Sequence, residues 1–275
     1  MVGTLSAAAT ADADDLLQHH MEEVRLTYET LTRSKKLPSV VDPTRVKWTI
    51  ALALAALHVP GEFIETGVYH GGTSITMMRV LDRAGSPKLH FACDSFQGLP
   101  KSSEQDNVRT MVGTLCTNST AAKPVASVNP PVRAICSRPK FGHPGRWRSS
   151  RETFEQQLHA FNVTLPRLRI VAGWFKDTLP PPGLKSIAFL RVDGDLYNST
   201  RDALERLEPL VSPGGYVYID DYGSFRGCAL AVDEYRSARG YTETVHPIVS
   251  RSRGVRRHGV KFEAVWWRKA SAHSQ

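Results

Sequence analysis

Glu62-Phe63-Ile64-Glu65-Thr66-Gly67-Val68-Tyr69-His70-Gly71-Gly72-Thr73-Ser74 is the stretch on which the fold turns. A short apolar run reaches an acidic residue, a glycine-bearing segment follows, and Ile75, Met77, Met78, Val80 and Leu81 then recur at helical spacing. The order is strand, turn, helix. Glycine in such a turn lets the backbone approach a ligand closely, because it carries no Cβ. The spacing is not G-x-G-x-x-G, and no Lys follows Gly72 as a P-loop requires. Taken alone, the block is a weak signal, and a tight strand-to-helix turn with no further duty is its alternative.

Outward from it, the pattern repeats. Residues 41–57 carry Val46, Ile50, Leu52, Leu54 and Leu57 at helical spacing and stop at Val59-Pro60-Gly61. On the other side, Leu89-His90-Phe91-Ala92-Cys93 is an apolar run ending at Asp94, as a second buried parallel strand ends, so the unit is βαβ. Residues 101–148 lose all period and fill with Ser, Thr, Pro and basic residues, which predicts a long mobile insertion. Ser149 and Glu152 then form an S-x-x-E capping box ahead of Phe154, Leu158 and Phe161. Strands are predicted at 168–172 and at 187–192, the latter ending at Asp193. Ser199 and Asp202 are expected to cap the next helix, with Leu204, Leu207 and Val211 inward and Ser212-Pro213-Gly214-Gly215 as its stop. A strand at 216–219 runs into Asp220-Asp221, a helix follows over about 227–239, and 260–267 alternates weakly as a last, antiparallel strand. Strands alternating with helices predict an α/β fold, a Rossmann-like doubly wound and mostly parallel sheet. The expected organisation is an N-terminal extension at 1–40, partly disordered or helical, one domain at 41–269 interrupted at about 101–148, and a tail at 270–275.

Composition agrees with a single α/β core: 275 residues, 41% of them hydrophobic. The most apolar stretch, 49–59, is too short for the roughly 18 to 20 residues of a membrane span, so no membrane partner is expected. The net charge of +8 is local. Residues 101–150 hold eight Lys/Arg against Glu104 and Asp106, and residues 251–269 hold seven against Glu263, which describes a solvated loop and tail and not a nucleic-acid stripe. Cys93, Cys116, Cys136 and Cys228 show no C-x-x-C spacing and are expected to stay reduced. The Ala-rich start lacks the basic region of a signal peptide. A cytoplasmic location is the default that follows, and the triplets at Asn118, Asn162 and Asn198 are then not glycosylation sites. A homo-oligomer stays open.

Ligands of doubly wound sheets bind at the carboxyl ends of the strands, where strand order switches. Glu65, Asp94, Asp193 and Asp220-Asp221 all fall at that rim. Asp94 could accept from ribose hydroxyls, which suits adenosine cofactors in general; the absence of a Tyr-x-x-x-Lys pair argues against hydride transfer. Asp193-Gly194-Asp195 and Asp220-Asp221 could each be turn or cap chemistry. Together they bring at least three carboxylates within a few ångströms, and like charges that close need a cation. A hard, oxygen-ligated ion such as Mg²⁺ fits, since no His or Cys accompanies them. His70 and the His19-His20 pair read as surface or packing residues.

Five blocks carry a resemblance: Glu65-Thr66-Gly67-Val68 with Gly71-Gly72; Asp94-Ser95-Phe96-Gln97-Gly98-Leu99-Pro100; Gly173-Trp174-Phe175-Lys176-Asp177-Thr178-Leu179-Pro180; Asp193-Gly194-Asp195-Leu196-Tyr197-Asn198-Ser199-Thr200; and Ser212-Pro213-Gly214-Gly215-Tyr216 through Asp220-Asp221-Tyr222. In this order they resemble the macrocin O-methyltransferase family, whose members methylate sugar hydroxyls of macrolide and aminocoumarin antibiotics with S-adenosyl-L-methionine and Mg²⁺ on a class I methyltransferase fold. The resemblance implies Asp193, Asp220 and Asp221 as metal ligands. Asp193 or its neighbour Asp195 would be the base. Glu65, Thr66, Gly67, Asp94, Ser95, Gln97 and Gly98 would surround the cofactor, and Trp174 and Phe175 would line the adenine or the mouth. The acceptor is a small-molecule hydroxyl whose identity is not legible, because the basic insertion and the N-terminal lid region depart from the family. A non-catalytic binding module and a metal-independent methyltransferase are the alternatives.

Overall fold

The computed structural model describes residues 15–33, 35–106, 144–163, 165–249, 255–257 and 260–270. Most of the predicted insertion, with Cys116, Cys136 and Asn118 in it, residues 1–14 and 34 of the N-terminal extension, and most of the tail lie outside the described residues.

Helix α1 (Met21–Thr32) and helix α2 (Pro43–Ala55) lead into β1 (Glu62–Thr66), α3 (Gly72–Arg83) and β2 (His90–Asp94). After a 3₁₀ turn at Glu104–Asp106 come α4 (Arg151–Ala160), β3 (Leu168–Ala172), α5 (Phe175–Thr178), β4 (Ile187–Val192), α6 (Tyr197–Leu207), β5 (Val211–Ile219) and α7 (Arg226–Ala238). The chain closes with β6 (His246–Val249), β7 (Val255–Arg257) and β8 (Val260–Arg268). The eight-stranded sheet runs β3-β2-β1-β4-β5-β8-β6, with β7 paired to β8. Strands β1 to β5 pair in parallel, and β8 lies antiparallel to β5. This is the expected Rossmann-like, mostly parallel sheet, and its order reverses between β1 and β4.

Period-two alternation builds two cores. Phe63, Ala92, Phe189 and Tyr218 face one side with Ile50 of α2, Ile75 of α3 and Phe154 of α4. Ile64, Cys93, Leu190 and Ile219 face the other with Leu204 of α6 and Val232 of α7. Because both faces are covered, the strands read as nearly unbroken apolar runs.

Three local expectations need correction. The cap of α4 is Ser150, whose side chain accepts from Thr153 N–H at 3.1 Å, and not Ser149. Helix α6 begins at Tyr197, ahead of Ser199 and Asp202, with Leu196 as a cap residue that has no side-chain acceptor. Ser212-Pro213-Gly214-Gly215 lies inside β5 and not after a helix: the β4–β5 register shifts between Ile187 and Phe189, and Gly214 takes φ +80°, so the strand bulges and continues. Among the described residues, no helix is long and apolar enough to cross a membrane.

Candidate active site

Gly67 follows β1 at φ +87°, donating its N–H to Cys93 O at 2.8 Å. A Cβ on it would fall 1.8 Å from the carbonyl oxygen of Asp193, so only glycine lets the ends of β1 and β4 meet. Asp94, at the end of β2, shapes the turn that follows. Its Oδ2 accepts from Val68 N–H at 2.8 Å and Tyr69 N–H at 3.3 Å, and its Oδ1 from Phe96 N–H at 2.7 Å. Tyr69 and Phe96 are thereby held at positive φ. Burial pushes the Asp94 carboxyl up, although these N–H groups pull the other way. Ser95 Oγ accepts from Gln97 N–H at 3.0 Å and donates to Gly98 O at 3.2 Å. Gln97 is exposed. Helix α3 starts at Gly72 with no side-chain cap, which leaves its positive end open toward the turn. Gly173 donates to Asp94 O at 2.9 Å, which sets the half-buried Trp174 and Phe175 beside β2.

Glu65 and Thr66 are both fully buried. Glu65 accepts from the hydroxyls of Thr73 and Ser74 and from Arg191. Burial raises its carboxyl to about 7 against the pull of Arg191. His90 Nε2 lies 3.2 Å from Ser74 Oγ, and burial lowers its imidazole to about 3.

The acidic residues meet across the switch point. Asp193 N–H bonds Thr66 O and Asp220 N–H bonds Val192 O, both at 2.9 Å, so each leaves its strand on the ladder. Carboxylate oxygens of Asp193, Asp195 and Asp221 all lie within 4.8 Å of one another. Asp195 takes φ +54°, and Asp221 Oδ2 is buried without a hydrogen-bond partner. Asp220, expected in this group, stands behind it. Its Oδ2 accepts from Arg45 Nη1 at 2.6 Å, and its Oδ1 from Arg191 Nη2 and the Tyr218 hydroxyl, both at 2.8 Å. Arg191, with no exposure, also reaches Asp193 Oδ2 at 2.7 Å and Glu65 Oε1 at 3.0 Å. Arg45 also pairs with Asp42 at 3.0 Å and Glu263 at 2.8 Å.

Two arginines thus divide the carboxylates. Burial opposes ionisation of Asp220, but Arg45 and Arg191 outweigh it and hold the group below the usual range. Asp193 is pushed up by burial and by Asp220, against Arg191. Asp195 is pushed well up by burial and by Asp193; Asp221 is pushed well up by burial, Asp195 and Asp193. Both arginines were missed in sequence; the one signal for Arg191 is a lone charge inside the apolar run Ile187–Val192.

The model of the macrocin-O-methyltransferase (TylF) family matches residues 47–123 and 146–269. The chain belongs to the macrocin-O-methyltransferase family. Among curated members, an 8-demethyl-8-(2,3-dimethoxy-alpha-L-rhamnosyl)-tetracenomycin-C 4'-O-methyltransferase of Streptomyces olivaceus is 35% identical over 69% of this chain and 63% of its own length. A demethyldecarbamoylnovobiocin O-methyltransferase of Streptomyces niveus is 36% identical over 66% and 60%. The matched part thus spans about three-fifths of these relatives. Among solved structures, the O-methyltransferase NovP superposes with a TM-score of 0.62 at 28% identity, over 82% of this chain and 80% of that one. A calicheamicin methyltransferase shares the fold, with a TM-score of 0.57 at 19% identity over 91% and 92%. This macrocin-O-methyltransferase family member therefore places its acidic cluster on a Rossmann-like methyltransferase fold.

Proposed function

We propose that the chain transfers the methyl group of S-adenosylmethionine to a hydroxyl of a glycosylated small molecule, assisted by a hard divalent cation such as Mg²⁺. The observation that carries this reading is the Asp193, Asp195 and Asp221 cluster at the β1–β4 switch point, in backbone contact with the glycine turn through Gly67. Relatives named for O-methylation of a rhamnosyl tetracenomycin and of mycinamicin III support a sugar-bearing acceptor.

The turn at 67–72, shaped by Asp94, and the uncapped start of α3 suit the donor: close backbone approach for its body and a positive helix end for its carboxylate. Ser95, Gln97, Gly98, Trp174 and Phe175 belong to the same wall, while Glu65 and Thr66 support it from beneath. The residues also fit a cation. Asp221 Oδ2 is a buried acceptor with nothing to accept, and three crowded carboxylates retain protons they would otherwise release. Asp193 and Asp221 would hold the ion together with Asp220, which uses three of a carboxylate's roughly four acceptor positions. A bound cation supplies Lewis-acid polarisation of the acceptor hydroxyl.

Asp195 lies outside the arginine clamp. Arg191 neutralises Asp193 and blunts it as a base, so Asp195 takes the hydroxyl proton. The hydroxyl oxygen attacks the methyl carbon, the carbon–sulfur bond breaks, and S-adenosylhomocysteine departs. Holding the two reactants in line turns a bimolecular displacement into a positioned one.

Calorimetric Mg²⁺ titration of two variants tests the roles. Asp195→Asn is expected to bind the cation and lose transfer, and Asp220→Asn to lose the cation. The reverse result would exchange the two assignments.

A further inference from the structure

The first turn of α6 lacks a cap of its own, because Leu196 offers no acceptor. The acceptor comes from far back in the chain. Asp106 Oδ1 accepts from Tyr197 N–H at 2.8 Å, while Asp106 Oδ2 accepts from Ser103 N–H at 2.9 Å and from Ser103 Oγ at 2.7 Å. Across from it lies Gly227 in the first turn of α7, where a Cβ would fall 1.8 Å from Asp106 Oδ1 and 2.9 Å from Tyr197 N. One carboxylate therefore fills the space where two helix starts converge, and glycine makes the room. A second tie, Tyr197 Oη to Glu234 Oε2 at 2.6 Å, joins the same two helices.

The loops that enter these helices are the ones that carry the acidic cluster: Asp193 to Asp195 before α6, and Asp220-Asp221 before α7. Asp195, two residues ahead of Tyr197, holds φ +54°, a conformation that a residue with a Cβ keeps only when its surroundings impose it. We propose that Asp106 is a positioning residue for the transfer reaction: by pinning Tyr197 against Gly227 it fixes the loop that aims Asp195. This rests on the function proposed above. Asp106 itself touches no reacting group.

Three variants test it from two sides. Asp106→Ala removes the acceptor, Gly227→Ala drives the acceptor out, and Asp106→Asn keeps an oxygen in its place. With S-adenosylmethionine, Mg²⁺ and an accepted sugar-bearing substrate, Asp106→Ala and Gly227→Ala are each expected to lower kcat by about 10- to 100-fold. KM for S-adenosylmethionine should stay within about twofold, and the double variant should be no worse than either single one. Asp106→Asn should restore most of the rate. Hydrogen exchange at the Tyr197 amide should quicken in the first two variants and not in the third. Folded Asp106→Ala that exchanges Tyr197 quickly yet turns over at the wild-type rate would overturn the role. So would an Asp106→Asn as slow as the alanine variant. Wild-type protein inert toward every acceptor would overturn the function itself, and this role with it.

Discussion

Arg191 reaches Glu65, Asp193 and Asp220 from a position with no exposure, and that geometry makes it the most consequential single side chain of the rim. Removing one partner of a buried ion pair strands the others uncompensated, so Arg191→Met is expected to cost about 3 to 5 kcal/mol in urea unfolding. Arg191→Lys should recover only part, since one ammonium cannot span three carboxylates as a planar guanidinium does. Unchanged stability in Arg191→Met would show that the network is not held this way. The buried pair below it gives a pH signature. His90 is lowered from 6.5 to about 3, so the unfolded chain takes up its proton first and stability from His90 is lost as pH falls from about 6.5 to 3. Glu65 is raised from 4.5 to about 7, so the folded state keeps its proton longer and stability is lost as pH rises from about 4.5 to 7. The two slopes oppose each other between 4.5 and 6.5. In metal-free Glu65→Gln only the histidine slope remains, and stability relative to wild type should rise with pH by about 1.4 kcal/mol per unit there. A pH-independent difference would remove either the raised Glu65 or the buried pairing.

At the scale of elements, the turn between β1 and α3 has least tolerance. Gly67→Ala would bring a Cβ into the Asp193 carbonyl at a φ that alanine resists. Loss of S-adenosylmethionine binding by calorimetry is expected, with a fall in melting temperature; a variant that binds normally would show that the strand ends need not touch. Ser150→Ala, by contrast, should cost only about 1 kcal/mol, the worth of one helix cap. The elements that were legible share a cause. Strands β1, β2 and β4 are covered on both faces, so each appears in sequence as an apolar run closed by a polar rim residue. Strand β6 was not foreseen, because His246–Val249 is four residues long, contains Pro247, and takes its place only by pairing with β8. The start of β5 was misread because Pro213 and Gly214 signal a turn, whereas here they shape a bulge that the neighbouring strand carries through.

Across the whole molecule, the carboxylates were legible and their partners were not. Aspartates at strand ends follow from local pattern, but Arg45, beside its near neighbour Asp42, binds Asp220 and Glu263, which only the assembled sheet brings to it. The same applies to Asp106, whose partners Tyr197 and Gly227 belong to helices formed long after it in the chain. The rim thus divides its labour: the arginines hold Asp220 ionised while Arg191 pairs with Asp193, Asp221 offers a vacant oxygen to a cation, and Asp195 takes a proton. The most direct test is methyl transfer itself. The protein would be incubated with S-adenosylmethionine and a set of glycosylated metabolites, with Mg²⁺ or with chelator, and the products weighed by mass spectrometry. The expected result is an acceptor that gains one methylene with Mg²⁺, none after chelation, and full gain again when Mg²⁺ is restored, with Asp221→Ala silent throughout. Undiminished transfer in chelator, or by Asp221→Ala, would contradict it.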